Sequence, residues 1–277
     1  PSENELLAVL EEVKREEIAP YEDTTTDAPL LPGMPELGEV VSSRTIEAAG
    51  VAEWTLSNGA RVVLKPTAFK EDEILLRATS AGGVSLAEDE NLIPANTADQ
   101  VVASGGLGEF SAVNLQKKLA GKAVFIRPTI GELEEGLSGN ASPKDAETLF
   151  QLIYLTFTAP RPDPVVFDVI KSQLKTFLEN RDLSPETVFS DTLRKTMQRD
   201  QPRFRPMTVE EIPRMSLEKS LAFYRDRFAD AGDFTFVFVG NLDLEKIKPL
   251  VCRYLASLPS RGRKETWRDW RVPPPEG

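Results

Sequence analysis

Three glycines that close an apolar-periodic run, "LIPANTADQVVASGGLGEF" (92–110), form the stretch of this chain closest in type to a phosphate loop or a catalytic turn. Its details favour neither. "SGGLGEFS" lacks the glycine spacing and the Lys-Ser/Thr of a phosphate loop, and the run before it has helical periodicity. Gly105-Gly106 is expected to stop one helix and turn into the next. The chain contains no histidine, which removes Ser-His and Cys-His pairs and the ordinary catalytic zinc site. Its one cysteine, Cys252 in "KPLVCRYL", can form no internal disulfide and reads as a core thiol. With 44 acidic residues, "EDE" (88–90) and "ELEE" (132–135) nominate no acid pair, and solvated faces are expected there. "QPRFRP" (201–206) mixes arginines with an aromatic ring and is expected to be exposed coil, with a partner-contacting loop as the alternative.

The composition sets the frame for these residues. A chain of 277 residues with 40% hydrophobic and 28% charged content can bury a substantial core. Its net charge of −11 argues against nucleic-acid binding, which needs a basic face. No apolar run reaches the roughly 18 to 20 residues that span a bilayer. The sequence opens Pro-Ser-Glu-Asn with no basic-then-apolar leader, so a processed chain or excised fragment is expected.

Ser2 and Glu5 form a capping box, after which Leu6, Leu7, Leu10 and Val13 recur at helical spacing. That helix should end by Pro20. Residues 19–39 carry four prolines and three consecutive threonines and read as an extended linker, so 1–39 is expected to precede the body as helix and strap. The body, 40–265, begins near Val40. "EWTLSNGARVVLK" predicts a hairpin through Asn58-Gly59, and "DEILLRATS" (72–80) a further strand. Helices are expected over 90–104 and 111–120, with Ser111 as cap and Gly121 as stop. "KAVFIRPTIGELEEGLSGN" predicts two strands turning near Gly131. Ser142 as cap with Pro143 at the first helical position predicts helices over 143–158, 164–181 and 185–199. Ser216 should cap another, to about 228. "FTFVFVGN" (234–241) reads as a buried strand, "DLEKIKPLVCRYLASL" as the last helix, and 266–277 as a second linker. This order predicts an α+β two-layer sandwich, a largely antiparallel sheet with helices packed on one face.

Three blocks carry a resemblance: "TLSNGARVVLKPTAFKEDEILLRATSAGG", "SPKDAETLFQLIYLTFTAPRPDPVVFDVIKSQLKTFLENR" and "FTFVFVGNLDLEKIKPLVCRYLASLP". In this order they resemble the pitrilysin/insulinase (M16) family of zinc metallopeptidases over about residues 50–260, which implies the LuxS/processing-peptidase-like version of this fold. The family pairs repeated α+β domains into two halves that close like a clamshell on a peptide. Its catalytic domain carries zinc on an inverted H-x-x-E-H helix. Aligned back from "FSAVNLQKKL", that motif falls on "TADQV". Thr97 stands for the first His, Gln100 for the general-base Glu and Val101 for the second His, and the third ligand falls near Glu179. Thr, Gln and Val supply neither imidazoles nor a base.

The resemblance therefore implies a non-catalytic domain, most like the third of a four-domain member. It carries no cofactor itself, and zinc is expected in the parent's catalytic domain. The implied partners are other domains of the same family, in the same polypeptide or a partner subunit, and a peptide substrate. An exported, periplasmic setting is the family's expectation. The alternative is a scaffold module of a related protein with no active half. Phe125, Arg127 and Thr129 lie on one side of "KAVFIRPTIGELEE" and are candidates for a substrate-facing wall, where a peptide could pair with a strand edge. The competing expectation makes Phe125 core and Arg127 a solvated rim charge.

Overall fold

The computed structural model describes residues 2–15, 28–273 and 275. A helix, α1 (Glu3–Arg15), precedes seven strands of one sheet: β1 (Val40–Ile46), β2 (Val51–Leu56), β3 (Arg61–Pro66), β4 (Ile74–Ala81), β7 (Val124–Ile130), β8 (Glu134–Ala141) and β9 (Thr235–Gly240). Their order is β1-β2-β3-β9-β4-β8-β7. Only β3 and β9 run parallel; the other neighbours are antiparallel. Two-residue strands β5 (Gly106–Leu107) and β6 (Phe110–Ser111) make a separate ladder.

Strand periodicity explains the layering. Along β4, Ile74, Leu76, Ala78 and Ser80 are buried while Leu75, Arg77 and Ala81 are exposed, so one face meets the helices and the other is open. On the buried face Phe236 and Phe238 of β9 are fully enclosed. The ring of Phe150, on α5 (Ala146–Thr158), stacks on Phe238 at 5.1 Å. Phe157 meets Phe234 and Phe228 edge-on at 4.9 and 5.2 Å, and Tyr224 stacks on Phe228 at 4.3 Å. Each such pair is worth about 0.5–1.5 kcal/mol beyond its buried area. Tyr224 and Phe228 belong to α8 (Leu217–Arg227) and the residue after it, which locks that helix to the sheet.

The turns follow local chemistry. Gly59 has φ +89°, and the Asn58 Nδ2 donates to the Leu255 and Leu258 carbonyls, tying the β2–β3 hairpin to the segment that ends the last helix. Ser111 and Ser216 accept amides of Asn114 and Lys219 to cap α4 (Ala112–Lys118) and α8. Ser142 does not cap α5. Its hydroxyl donates to Asp145 at 2.7 Å, and a 3-10 turn over Pro143–Asp145 precedes the helix. The remaining helices are α6 (Pro164–Glu179), α7 (Pro185–Met197) and α9 (Leu244–Leu250); Val251–Leu255 continues α9 as a π-helical turn.

Several expectations change. The run 90–104 is two helices, α2 (Leu92–Asn96) and α3 (Ala98–Gly105), broken at Thr97. β1 is a strand although six of its seven residues are exposed, so no alternation marks it. Cys252 is half-buried; Val251, Tyr254 and Leu255 take the core positions around it. Of the proline-rich stretch, residues 16–27 lie outside the described residues. Leu30 and Leu31 join the main core, and the Gly38 amide donates to the Cys252 carbonyl. Within the segment expected to be a second linker, the Arg268 amide and the Trp270 indole N–H donate to Ser85 of the body.

Candidate functional site

The broken helix is the centre of interest, because a metal motif of this kind needs two side chains one turn apart on a continuous helix. Pro94 contributes no N–H, and the Thr97 hydroxyl lies 3.1 and 3.2 Å from the Ile93 and Pro94 carbonyls. Back-bonding of this sort competes with the helix ladder, and the chain kinks. The same hydroxyl is 3.3 Å from that of Ser220 on α8, and Thr97 is buried. Val101 is 4% exposed, within a second apolar cluster that includes Ile93, Phe167, Ile170 and Met215. Gln100 faces solvent. Glu179, at the end of α6, is exposed and paired with Lys175 at 3.7 Å.

The four positions therefore do not converge on a ligand set. Thr97 faces α8, Val101 faces the cluster and the two remaining polar side chains face water. A zinc ion needs donors with free lone pairs around one point, and these residues do not fit it. Among the described residues, no group of three or more His, Cys, Asp or Glu is placed to hold a metal. No described helix is long and apolar enough to cross a membrane.

A residue inside the same segment has another role that its sequence position does not advertise. The Asp99 Oδ2 accepts the Ile130 amide at 3.3 Å and its Oδ1 the Gln100 amide at 2.8 Å, so α3 holds the end of β7. Burial pushes this carboxyl up, against the pull of those amides and of Arg127. β7 is an edge strand, paired only with β8. The Ile130 N–H points away from β8, and the Ser142 amide reaches Ala123 on the β8 side. Alternation then turns the backbone groups of Val124 and Ile126 outward as well, and Pro128 offers only its carbonyl. Beside this edge lies an apolar cavity of about 690 Å³, lined by Val102, Leu107, Leu115, Leu119 and Ile126 among others.

Phe125, Arg127 and Thr129 pair with Asn140, Ser138 and Gly136 and share one side of β7. Phe125 is 53% exposed and so is not core; Arg127 is exposed and Thr129 half-buried. Two further surfaces depart from expectation. Glu135 of "ELEE" is 1% exposed rather than solvated, with its Oε2 accepting the Gly83 amide at 2.6 Å. The neighbouring Gly83 has φ +61°, and a Cβ there would sit 2.4 Å from the Gly131 carbonyl, so only glycine allows that bond. The "QPRFRP" loop is half-buried, and the Arg203 guanidinium lies 3.9 Å over the Trp270 ring.

Known proteins are similar to this chain in sequence and fold. Residues 214–277 match the family described as Peptidase M16 inactive domain. A protein of Escherichia coli named "Probable zinc protease PqqL" is 28% identical over 255 residues, 91% of this chain and 27% of that protein. The Arabidopsis thaliana "Zinc protease PQQL-like" is 26% identical over 251 residues, covering 90% of this chain and 24% of the relative. The crystal structure of the periplasmic protease PqqL from Escherichia coli superposes with a TM-score of 0.77 at 25% identity, over 97% of this chain and 30% of that one. The chain thus spans about a quarter of the length of the curated relatives it matches. In its sequence blocks, its seven-stranded sheet and its matches, the chain is similar to M16 peptidases, and its residues 214–277 match that family's inactive domain.

Proposed function

We propose that this chain is a non-catalytic wall domain, third-domain-like, of an M16-type zinc metallopeptidase whose H-x-x-E-H domain lies elsewhere in the parent protein. In this reading the domain encloses part of a clamshell chamber, and its partners are the other domains and the peptide being cleaved. The observation that supports it is that two positions aligned with the motif, Thr97 and Val101, are used for packing. Thr97 and Val101 are buried into α8 and the second apolar cluster, while the fold around them is whole. The names of the relatives support a zinc protease as the parent.

The open face and free edge of β7 suit the wall role. Outward backbone groups at Val124 and Ile126 can take an added strand, and such pairing needs no particular side chain. Phe125 and Arg127 then offer an apolar and a cationic contact on the same side. Thr97, Gln100, Val101 and Glu179 are the remnants of a ligand set in this reading, with no chemical step of their own.

Metal analysis after mild chelation, with peptide hydrolysis on the chain alone and on the full parent polypeptide, tests this. The chain alone should hold no stoichiometric zinc and cleave nothing, and the parent should do both. One tightly held zinc per isolated chain would overturn the assignment. A parent inactive on every peptide would select the scaffold alternative.

A further inference from the structure

We propose that the cleft between α2, the β7–β8 turn and the 198–214 loop is a binding site for a carboxylate-bearing peptide segment. The cleft has a volume of about 940 Å³, within the range that encloses ligands the size of a few residues. Four arginines line it: Arg194, Arg203, Arg205 and Arg214. They gather in a chain whose net charge is −11. Three carboxylates, Asp89, Glu132 and Glu211, share the cleft with the four guanidinium groups. Glu211 serves Arg205 at 2.8 Å and Arg214 at 3.6 Å with one oxygen, while its other oxygen accepts the Thr208 amide at 3.1 Å. Asp89 is spent on Arg203 at 2.6 Å. A guanidinium carries five N–H donors, so one shared oxygen satisfies a small part of two of them.

Arg203 gives the site its built character. Its side chain is 6% exposed, sandwiched against Trp270 and held by the Ala87 carbonyl and Asp89, both at 2.6 Å. Among the described residues, its buried Nε has no hydrogen-bond partner. Leaving a buried charged donor unmet is costly, whereas a carboxylate entering between the arginines supplies acceptors in the planar geometry that guanidinium prefers. Apolar side chains complete the walls, with Leu92, Ile93 and Ile130 on one flank and Phe204 and Met207 on another. Arginine forks among apolar patches fit an extended segment that alternates acidic and apolar residues. A lone small anion would leave most of the volume unfilled.

The proposal uses the chain as it stands and does not depend on the chamber reading. The probe is a fluorescein-labelled Leu-Glu repeat peptide, compared by anisotropy with its Leu-Gln counterpart. The wild-type chain should bind the Glu peptide at least about tenfold more tightly, the value of one good charge-assisted pair. Rising salt should weaken that binding. Arg194→Ala with Arg214→Ala, two exposed positions, should cost about tenfold again, and the paired Arg→Lys variants should recover only part of it. Equal binding of Glu and Gln peptides by the wild type overturns the proposal without reference to any variant. So does an unaffected double alanine variant. Displacement by inorganic phosphate at concentrations matching the peptide would show a small-anion site instead, which also refutes it.

Discussion

Glu135 offers the sharpest test of how this domain is held together. It lies on β8 opposite Ser80 of β4 and Ile130 of β7, 1% exposed, with its Oε2 on the Gly83 amide at 2.6 Å. The nearest cation, Arg227, is occupied elsewhere: it donates to Asp226 at 2.5 Å and to Glu265 at 3.0 Å. Burial therefore dominates and pushes the carboxyl up to about 7, against the Gly83 amide, Arg227 and the Ser80 hydroxyl, with Glu265 adding to the push. The ordinary value is 4.5. Between these two values the folded chain holds a proton that the unfolded chain has lost. The unfolded state binds fewer protons, so stability falls as pH rises, by about 1.4 kcal/mol per unit, or about 3 kcal/mol over the whole window. Below the unfolded value and above the folded one the contribution is flat.

Glu135→Gln keeps the shape and the acceptor for Gly83 and removes the titration. The unfolding free energy of the variant minus that of the wild type should rise by about 3 kcal/mol between about pH 5 and about pH 8. In a domain of this size that is a shift of several degrees in relative Tm. Urea unfolding followed by circular dichroism at a series of pH values measures it, and taking the difference cancels every other titrating group. Parallel pH profiles for the two proteins would refute the reasoning, and a difference of opposite sign would mean that Arg227 rather than burial governs the site.

Installing an H-x-x-E-H pattern with Thr97→His, Gln100→Glu and Val101→His should not create zinc binding, and should cost about 2–4 kcal/mol, because imidazoles would enter a packed apolar cluster and the Ser220 contact; equilibrium dialysis and urea unfolding read both. Limited proteolysis should cut first on the N-terminal side of Leu30, since Leu30, Leu31 and Gly38 are anchored to the body; early cutting within 143–181 would contradict the packing of α5 and α6. In the full-length parent, Arg127→Glu should raise KM with little change in kcat, because an open-face contact on β7 would be uniform binding. Unchanged KM across unrelated peptides would assign β7 to structure alone.

What the sequence disclosed and what it hid divide along the range of the forces involved. The β2–β3 hairpin was legible because Asn58-Gly59 solves a turn problem within four residues, and β4 because period-two burial is written in its own side chains. Ser111 and Ser216 cap helices through amides three residues on, so their role needs no partner from elsewhere. Ser142 was missed for a local reason, its hydroxyl turning to Asp145, whereas the larger misses depend on distant groups. Thr97 breaks its helix partly by local back-bonding, yet its burial depends on Ser220, 123 positions away. Glu135 is enclosed by Gly83 and Arg227, and the 201–206 loop is folded inward by Trp270, none of which its own neighbours announce.

The segment 92–105 shows how packing uses positions that a metal motif would keep open. A catalytic helix must keep two ligands solvent-accessible at one point, which forgoes apolar burial at those positions. Once Thr and Val occupy them, the positions join the packing: Val101 adds its side chain to the Ile93–Phe167 cluster, a burial worth about 1.5–3 kcal/mol for a residue of that size. Thr97 makes contacts that bind α2 to α8. Asp99, between them, fastens the edge strand through the Ile130 amide. The segment thus stabilises the strand whose free edge an added strand would meet, and pairing of that kind needs no metal ligand.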